Sequence, residues 1–514
     1  MSENPEFDLA PPKPRALVES LRSMGYSLPA AIADIVDNSI AARARNVWVT
    51  FLWAGTESSV SILDDGRGMS EKRLVEAMRP GTDGPLDARE AGDLGRFGLG
   101  LKTASFSQCR KVTVWTRQAK ATAAGRCWDL DYVSRENEWR LLKVTDPPSG
   151  GEHGRLAAMR QGTLVTWEKL DRVVDQGTSA NDEAAHRRFL EQINEVRDHL
   201  AMVFHRYLSG ETIHGNAALN IFINGNDQQA LVAPWDPFMG GTAARSQQFP
   251  KEEIPYRDTK IMVHGYVLPH KDRLSEPEYQ RAAGPAGWVA QQGYYIYRND
   301  RILLAGDWLR LGRGRPWIKE EHYKLARLSI DIPNSLDLEW ELDVKKSTAK
   351  PPPIIRERLT ALAEAVRVDA RKVFIHRGAY GPRPPGPAVT FQRAWESLQR
   401  RGQRVYKINR EHPLIAGAIQ RLGPLSGTLE QVLRLIEETV PVERIWLDTA
   451  ESANDHAIPY EGLDEDTVKA DIKATYQYLR KRGQEAEIIR AYLLATSPFD
   501  RYPALVDDVV QRES

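Results

Sequence analysis

This sequence has only two cysteines, no net charge and no long apolar run. Its two cysteines, Cys109 and Cys127, are too few for a disulfide framework or a Cys-rich zinc module. Lysine plus arginine and aspartate plus glutamate both number 70, so there is no overall basic field for nucleic acid. No apolar stretch approaches the roughly 18 residues of a membrane span, and the polar first residues lack a signal peptide's apolar segment. These absences predict a cytoplasmic protein that does not enter a membrane.

The chain of 514 residues is long enough for about three domains. The mixture of helix and strand patterns predicts an α+β fold. We expect an α/β domain at 1–207, a second α/β domain at 208–376 and a mostly helical domain at 389–514, with a Pro/Gly linker at 377–388. Strands are predicted at 46–53 and 60–64, as a hairpin, and at 218–223, in the second domain.

The segment IADIVDNS, residues 32–39, carries carboxylates and an amide on a predicted helix. Asp34, Asp37 and Asn38 fall on the face opposite the isoleucines. An amide oxygen suits Mg²⁺, and a carboxylate one turn away can orient or deprotonate a water molecule. The alternative is an amphipathic helix with a solvated polar face.

The segment LDDGRGM, residues 63–69, follows a predicted strand. A carboxylate at a strand end can accept the exocyclic amine of adenine, and glycines allow the base to approach the backbone. The candidates are Asp64, Gly66, Gly68 and Met69. Thr163, on the predicted strand GTLVT, can support the carboxylate. The alternatives are an ordinary tight turn and an ordinary strand threonine.

The segment GRFGLGLKT, residues 95–103, precedes a predicted helix. Glycines at a helix start expose backbone N–H groups to phosphate. The spacing fits neither a P-loop nor a Rossmann fingerprint. The glycine-containing loop 79–95 is supple enough to close over a nucleotide. The binding candidates in this segment are Gly95, Phe97, Gly98, Leu99, Gly100 and Lys102.

These four segments occur in the order of the signature motifs of the GHKL ATPases. The sequence therefore resembles that superfamily, which includes gyrase B, the ninety-kilodalton heat-shock chaperone, histidine kinases, MutL and the MORC proteins. The resemblance implies a Bergerat-type α/β sandwich that binds ATP with Mg²⁺ and hydrolyses it. It implies that Asn38 is the Mg²⁺ ligand, that Asp64 binds adenine and that Thr163 supports the base. The glycines that would shape the pocket are Gly66, Gly68, Gly95, Gly98 and Gly100.

One position departs from the family pattern. The general base of the family is usually a glutamate four residues before the asparagine, and here that position is Asp34. Because aspartate is one methylene shorter, we expect slow turnover.

The second predicted domain resembles, more loosely, the transducer domain of MutL and MORC proteins. In that domain a basic side chain reaches the γ-phosphate, and the resemblance implies Lys346, next to Lys345, for this role. The alternative is a solvated lysine pair after a strand.

The resemblance implies an ATP-gated homodimeric clamp that acts on DNA, with nuclease or other subunits of bacterial anti-phage defence as partners. Basic runs support DNA contact at 309–319, beside Trp308 and Trp317, at 400–407 and at 480–482. The alternative for these runs is solvated surface. The alternative functions are a chaperone-like ATPase acting on proteins and a nucleotide-binding adaptor with negligible turnover.

Overall fold

A computed structural model describes most of the chain, which divides into two compact units, Met1–Ile375 and His376–Ser514. The described residues are 12–23, 25–81, 100–145, 150–241, 246–336, 339–341, 349–375, 394–400, 403–445, 460, 462–494, 496 and 498–513.

The first unit begins with a seven-stranded sheet. Its strands are β1 (Asn46–Leu52), β2 (Ser59–Asp64), β3 (Lys111–Arg117), β4 (Ala124–Asp129), β5 (Leu142–Val144), β6 (Gly162–Glu168) and β7 (Asn220–Ile223). They lie in the order β5-β4-β3-β6-β2-β1-β7, and every neighbouring pair is antiparallel except β1 and β7. The predicted hairpin of β1 and β2 is confirmed. The assignment of the strand at 218–223 to the second domain is wrong, because β7 pairs in parallel with β1 at the edge of this sheet.

Helices cover this sheet where its strands present apolar side chains. The helices are α1 (Pro14–Arg22), α2 (Leu28–Ala41), α3 (Glu71–Met78), α4 (Gly100–Gln108), α5 (Leu130–Glu136), α6 (Gly151–Ala158), α7 (Glu183–Val203) and α8 (His205–Ser209). Ile62 of β2 belongs to the main core, together with Ile35 of α2 and Leu200 of α7. Its neighbour Leu63 points to the opposite face, as alternation along a strand requires, and packs with Leu156 of α6.

A second sheet completes the first unit. Its strands are β8 (Gln247–Gln248), β9 (Glu252–Tyr256), β10 (Thr259–Val267), β11 (Gly293–Arg298), β12 (Arg301–Asp307) and β13 (Ala326–Asp331). The order is β12-β11-β13-β10-β8, and β9 also pairs with β10. Two short helices, α9 (Glu276–Ala283) and α10 (Gly287–Ala290), precede β11, and the long α11 (Pro353–Ile375) packs on the sheet. The close approach of α11 depends on Gly265, where an added Cβ would lie 2.5 Å from Val366 Cγ2.

The second unit is mostly helical in its described part, but it also contains a β-hairpin. The hairpin joins β14 (Trp395–Arg400) to β15 (Gln403–Ile408). The helices are α12 (Pro413–Leu422), α13 (Ser426–Glu438), α14 (Glu465–Lys481), α15 (Ala486–Leu494) and α16 (Pro503–Glu513). The α+β prediction is confirmed, and the four-part division of the chain stays a prediction. Among the helices of the described residues, none has the length and apolar character needed to cross a bilayer.

Candidate functional site

Asp64, the last residue of β2, is a buried carboxylate whose two oxygens both accept hydrogen bonds. It is 6% exposed, and its two oxygens accept hydrogen bonds from Ser39 Oγ at 3.0 Å and from the Gly66 N–H at 2.8 Å. Burial raises the pKa of this carboxyl group to about 6, although the hydrogen bonds from Gly66 and Ser39 and from the backbone of Thr163 oppose the shift. A buried carboxylate whose pKa is raised in this way is a candidate for a functional role.

The glycines around Asp64 lie where a side chain would clash with neighbouring atoms. A Cβ at Gly66 would lie 2.7 Å from Ala42 Cβ, and one at Gly162 would lie 2.3 Å from the Asp64 carbonyl oxygen. Gly68 has a φ of +63°, and its Cβ would lie only 2.0 Å from the Arg117 carbonyl oxygen. The DGRGM segment therefore passes close to Ala42 and to Arg117, and this path requires glycine at positions 66 and 68.

Replacing Gly68 with alanine is expected to lower the free energy of unfolding by about 2–5 kcal/mol, because backbone strain adds to a steric clash. Gly177→Ala is the matched control, since Gly177 has a φ of +80° but nothing within 4 Å of the position that an added Cβ would take. The control is expected to cost about 1–2 kcal/mol, from strain alone. Urea unfolding measures both values. Equal losses in the two variants would contradict the close approach to Arg117.

Thr163 lies opposite Asp64 in the β2–β6 ladder. Its hydroxyl shares a hydrogen bond of 3.1 Å with Thr116 Oγ1, so its backbone rather than its hydroxyl supports the Asp64 carboxyl group. Thr116 also accepts a hydrogen bond from the Met69 N–H at 2.9 Å. Thr116 therefore anchors the DGRGM segment to β3, and the half-buried Met69 packs against the main core.

The polar residues of α2 do not share a solvated face, contrary to the amphipathic alternative. Asp34 and Asp37 are 7% and 3% exposed, and only Asn38 is open to solvent. Asp34 Oδ2 accepts a hydrogen bond from Tyr26 Oη at 3.1 Å. A Cβ at Gly100, the first residue of α4, would lie 3.9 Å from the same oxygen. The structure thus brings Asp34 next to the start of the helix that was predicted to bind phosphate.

Asp37 pairs with a residue of the second sheet. Arg301, at the start of β12, donates a hydrogen bond from Nε to Asp37 Oδ1 at 2.7 Å. Its Nη2 lies 3.6 Å from Asp34 Oδ1. Both buried carboxylates of α2 therefore face one guanidinium.

Lys102, in the first turn of α4, is 5% exposed and donates a hydrogen bond to the Ala77 carbonyl oxygen at 3.0 Å. Its ammonium therefore lies at the C-terminal end of α3, where a helix dipole favours positive charge. Several predicted site residues lie outside the described residues: Gly95, Phe97, Gly98, Leu99, Lys345 and Lys346.

The two tryptophans that accompany the basic run at 309–319 are held by contacts within the protein. Trp308 is 3% exposed, and Trp317 is half-buried. Both rings pack around Arg367, whose Cζ lies 4.7 and 4.5 Å from their centroids. The proposed stacking of Trp308 on bases is therefore wrong. Lys407, in another run, is paired with Glu437 and Glu438.

Five side chains at the site had no assigned role in the sequence prediction, namely Tyr26, Asp37, Ser39, Thr116 and Arg301. Ser39 and Asp37 lie within the IADIVDNS motif, and Tyr26 lies two residues before the start of α2, so their position along the chain was a usable signal. Thr116 and Arg301 lie in ordinary strand segments and gave no local signal.

Comparison with known proteins identifies the class of this site. Residues 26–168 match the family model described as "Histidine kinase-, DNA gyrase B-, and HSP90-like ATPase". This part of the chain is therefore similar to the ATPase domains of the GHKL superfamily, which confirms the resemblance seen in the motifs. The chain is also similar to ATPase morc-1 of Caenorhabditis elegans, with 33% identity over 88 residues. The aligned part is 17% of this chain and 10% of that relative, and it supports a MORC-like character for the domain.

Proposed function

We propose that this protein binds ATP with Mg²⁺ and hydrolyses it slowly at the site between α2, β2 and α4. The observation that carries the proposal is the placement of α2. This helix contacts Asp64, which is proposed to bind the base, and the start of α4, which is proposed to bind phosphate. At one end Ser39 donates its hydrogen bond to Asp64, the proposed adenine carboxylate. At the other end Asp34 lies beside the first residue of α4. One rigid helix thus sets the distance between base recognition and phosphate chemistry.

The donor set fits a magnesium–triphosphate group. Asn38 presents a solvent-exposed amide oxygen one turn from Asp34, and Mg²⁺ prefers hard oxygen ligands. When bound, the metal ion would neutralise charge on the phosphates. Asp34 would orient the attacking water and accept its proton. Among the glycines proposed for the pocket, Gly66 and Gly68 leave no room for a Cβ.

We further propose that ATP closes a homodimer of this protein around a partner, and that Lys346 senses the γ-phosphate. A lysine ammonium gains a phosphate partner with ATP and loses it with ADP, which is the differential contact that a nucleotide switch needs. DNA is the proposed partner, in a setting of bacterial anti-phage defence. The basic runs can bind DNA through contacts with its phosphates, which do not require aromatic stacking.

Dimerisation is expected with a non-hydrolysable ATP analogue plus Mg²⁺, and not with ADP or without nucleotide. Sedimentation velocity on the full chain measures this directly. Asn38→Ala and omission of Mg²⁺ are both expected to abolish the shift. Lys346→Ala is expected to weaken it, with Lys345→Ala as the matched neighbour that retains it.

An oligomeric state that is identical under all nucleotide conditions would contradict the gated clamp but not ATP binding. Normal closure by both lysine variants would show that another residue senses the γ-phosphate. Salt-dependent binding of duplex DNA by the analogue-bound dimer tests the proposed partner. Suppressed aggregation of an unfolded protein, without DNA binding, would favour the chaperone-like alternative.

A further inference from the structure

A guanidinium from the second sheet contacts both buried carboxylates of α2. Arg301 is 3% exposed, lies 2.7 Å from Asp37 through Nε and lies 3.6 Å from Asp34 through Nη2. Arg301 lies outside residues 26–168, the segment that matches the ATPase family. The proposed general base is therefore held partly by a strand that does not belong to the matched ATPase domain.

The position of Arg301 is set by a tightly held turn. The two residues before it, Asn299 and Asp300, have φ values of 47° and 66°. Asp300 is fully buried and accepts hydrogen bonds from the backbone N–H of Ile213 and from Asn216 Nδ2, at 2.8 Å each. Tyr207 Oη donates a hydrogen bond to the Asn299 carbonyl oxygen at 2.6 Å. The turn between β11 and β12 is thus attached to α8 and to the chain that follows it, and this attachment fixes the position of Arg301.

Asp34 is held on two sides by this arrangement. Tyr26 Oη donates to its Oδ2, and the Arg301 guanidinium lies beside its Oδ1. Charge–charge interactions are strong where water is excluded, so a guanidinium at this position restrains the carboxylate. The orientation of a general base decides whether its lone pair points at the attacking water, and a shift of about 1 Å can slow a reaction about 100-fold.

We propose that Arg301 is a positioning residue for Asp34, so that ATP turnover depends on the docking of the second sheet against α2. The proposal rests on the ATPase function proposed above. It gives the second sheet a route to control hydrolysis without contacting the nucleotide.

The test is a double variant of the full chain, Arg301→Met with Asp37→Asn. Removing both partners avoids leaving an additional unpaired carboxylate in the interior. The matched control is Arg22→Met with Asp171→Asn. Arg22 of α1 is also buried and pairs with Asp171 through two hydrogen bonds of 2.8 and 2.7 Å, and neither residue belongs to α2, to the second sheet or to the turn that holds Arg301.

We expect the Arg301 double variant to lower kcat by about 10- to 100-fold while KM and the affinity for a non-hydrolysable analogue change by less than about threefold. The control is expected to retain kcat within about threefold, because it leaves Asp34 in place. In the nucleotide-free protein, hydrogen exchange is expected to become faster in α2 for the Arg301 variant only.

The outcomes separate the two proposals. A wild-type protein without turnover overturns the ATPase function. An active wild type beside an equally active Arg301 variant overturns the positioning role alone. Unchanged exchange of α2 in the Arg301 variant also overturns it, and so does an equal loss of kcat in the control.

Discussion

Asp34→Asn is expected to lower kcat for ATP by about 10²- to 10⁴-fold, which is the usual contribution of a general base. An amide cannot accept the proton of the attacking water. It has nearly the same shape as the carboxylate and keeps an oxygen that can accept the hydrogen bond from Tyr26 Oη. The affinity for a non-hydrolysable analogue is therefore expected to stay within a few-fold, and phosphate release under saturating ATP measures the loss.

The fold should tolerate this change because of the charges around it. Arg301 faces two carboxylates, and its shorter contact is the hydrogen bond to Asp37, at 2.7 Å, against 3.6 Å to Asp34. The asparagine variant keeps that hydrogen bond and adds no volume, so the fold is expected to remain intact. The midpoint of urea unfolding checks this.

Equal turnover in wild type and Asp34→Asn would remove Asp34 from the role of general base. If both turnover rates equal the uncatalysed rate while the analogue still binds, the adaptor alternative is correct. In that case the aspartate at the family's glutamate position would mark a protein that binds nucleotide without hydrolysing it.

The candidate site was predictable to the extent that its chemistry is local in sequence. Asp34 and Asn38 lie one helical turn apart, and the glycines of DGRGM follow a strand directly. Such spacings are governed by helix and turn geometry alone, so they can be recognised in the sequence. The hairpin of β1 and β2 was predictable for the same reason, since a short polar segment joins two alternating strands.

Other features depend on contacts between distant parts of the chain. Asp37 and Arg301 are separated by 264 positions, and the docking of the second sheet gives the buried Asp37 this partner. The parallel pairing of β7 with β1 likewise joins segments that are far apart in the sequence, because β2 to β6 lie between them along the chain. The hairpin of β14 and β15 was not predicted, because its strands are rich in charged and amide residues and poor in the β-branched residues that favour strands.

The burial of Asp64 has a cost for stability that its proposed role in binding would explain. Its pKa is raised by burial from 3.8 to about 6, so the folded protein holds a proton there more tightly than the unfolded chain does. The contribution of this group to stability is therefore fully present below about pH 4 and is lost as the pH rises through about 6. At neutral pH the fold keeps an ionised carboxylate that does not stabilise it. A binding role for the carboxylate accounts for this arrangement.

Asp64→Asn is expected to weaken ATP binding by about 5- to 150-fold, corresponding to about 1–3 kcal/mol. The amide would direct a donor at the Gly66 N–H, at Ser39 Oγ or at the adenine amine. Asp65→Asn is the matched control, because Asp65 accepts its hydrogen bonds from the backbone of Arg45 and from the backbone and side chain of Asn46. Isothermal titration with the non-hydrolysable analogue compares the two variants, and the control is expected to retain wild-type affinity.

The pH dependence of binding tests the same carboxylate without ambiguity about folding. The ionised form of Asp64 is the better acceptor for the adenine amine, so affinity is expected to fall as the pH drops through about 6. Phosphate groups titrate near pH 6 as well, and adenosine is therefore the better probe, with its dissociation constant followed by NMR between pH 5 and 8. Asp64→Asn should bind adenosine weakly and equally across this range. Adenosine binding that is independent of pH in the wild type, or near-normal ATP affinity in the variant, would exclude Asp64 as the group that recognises the base.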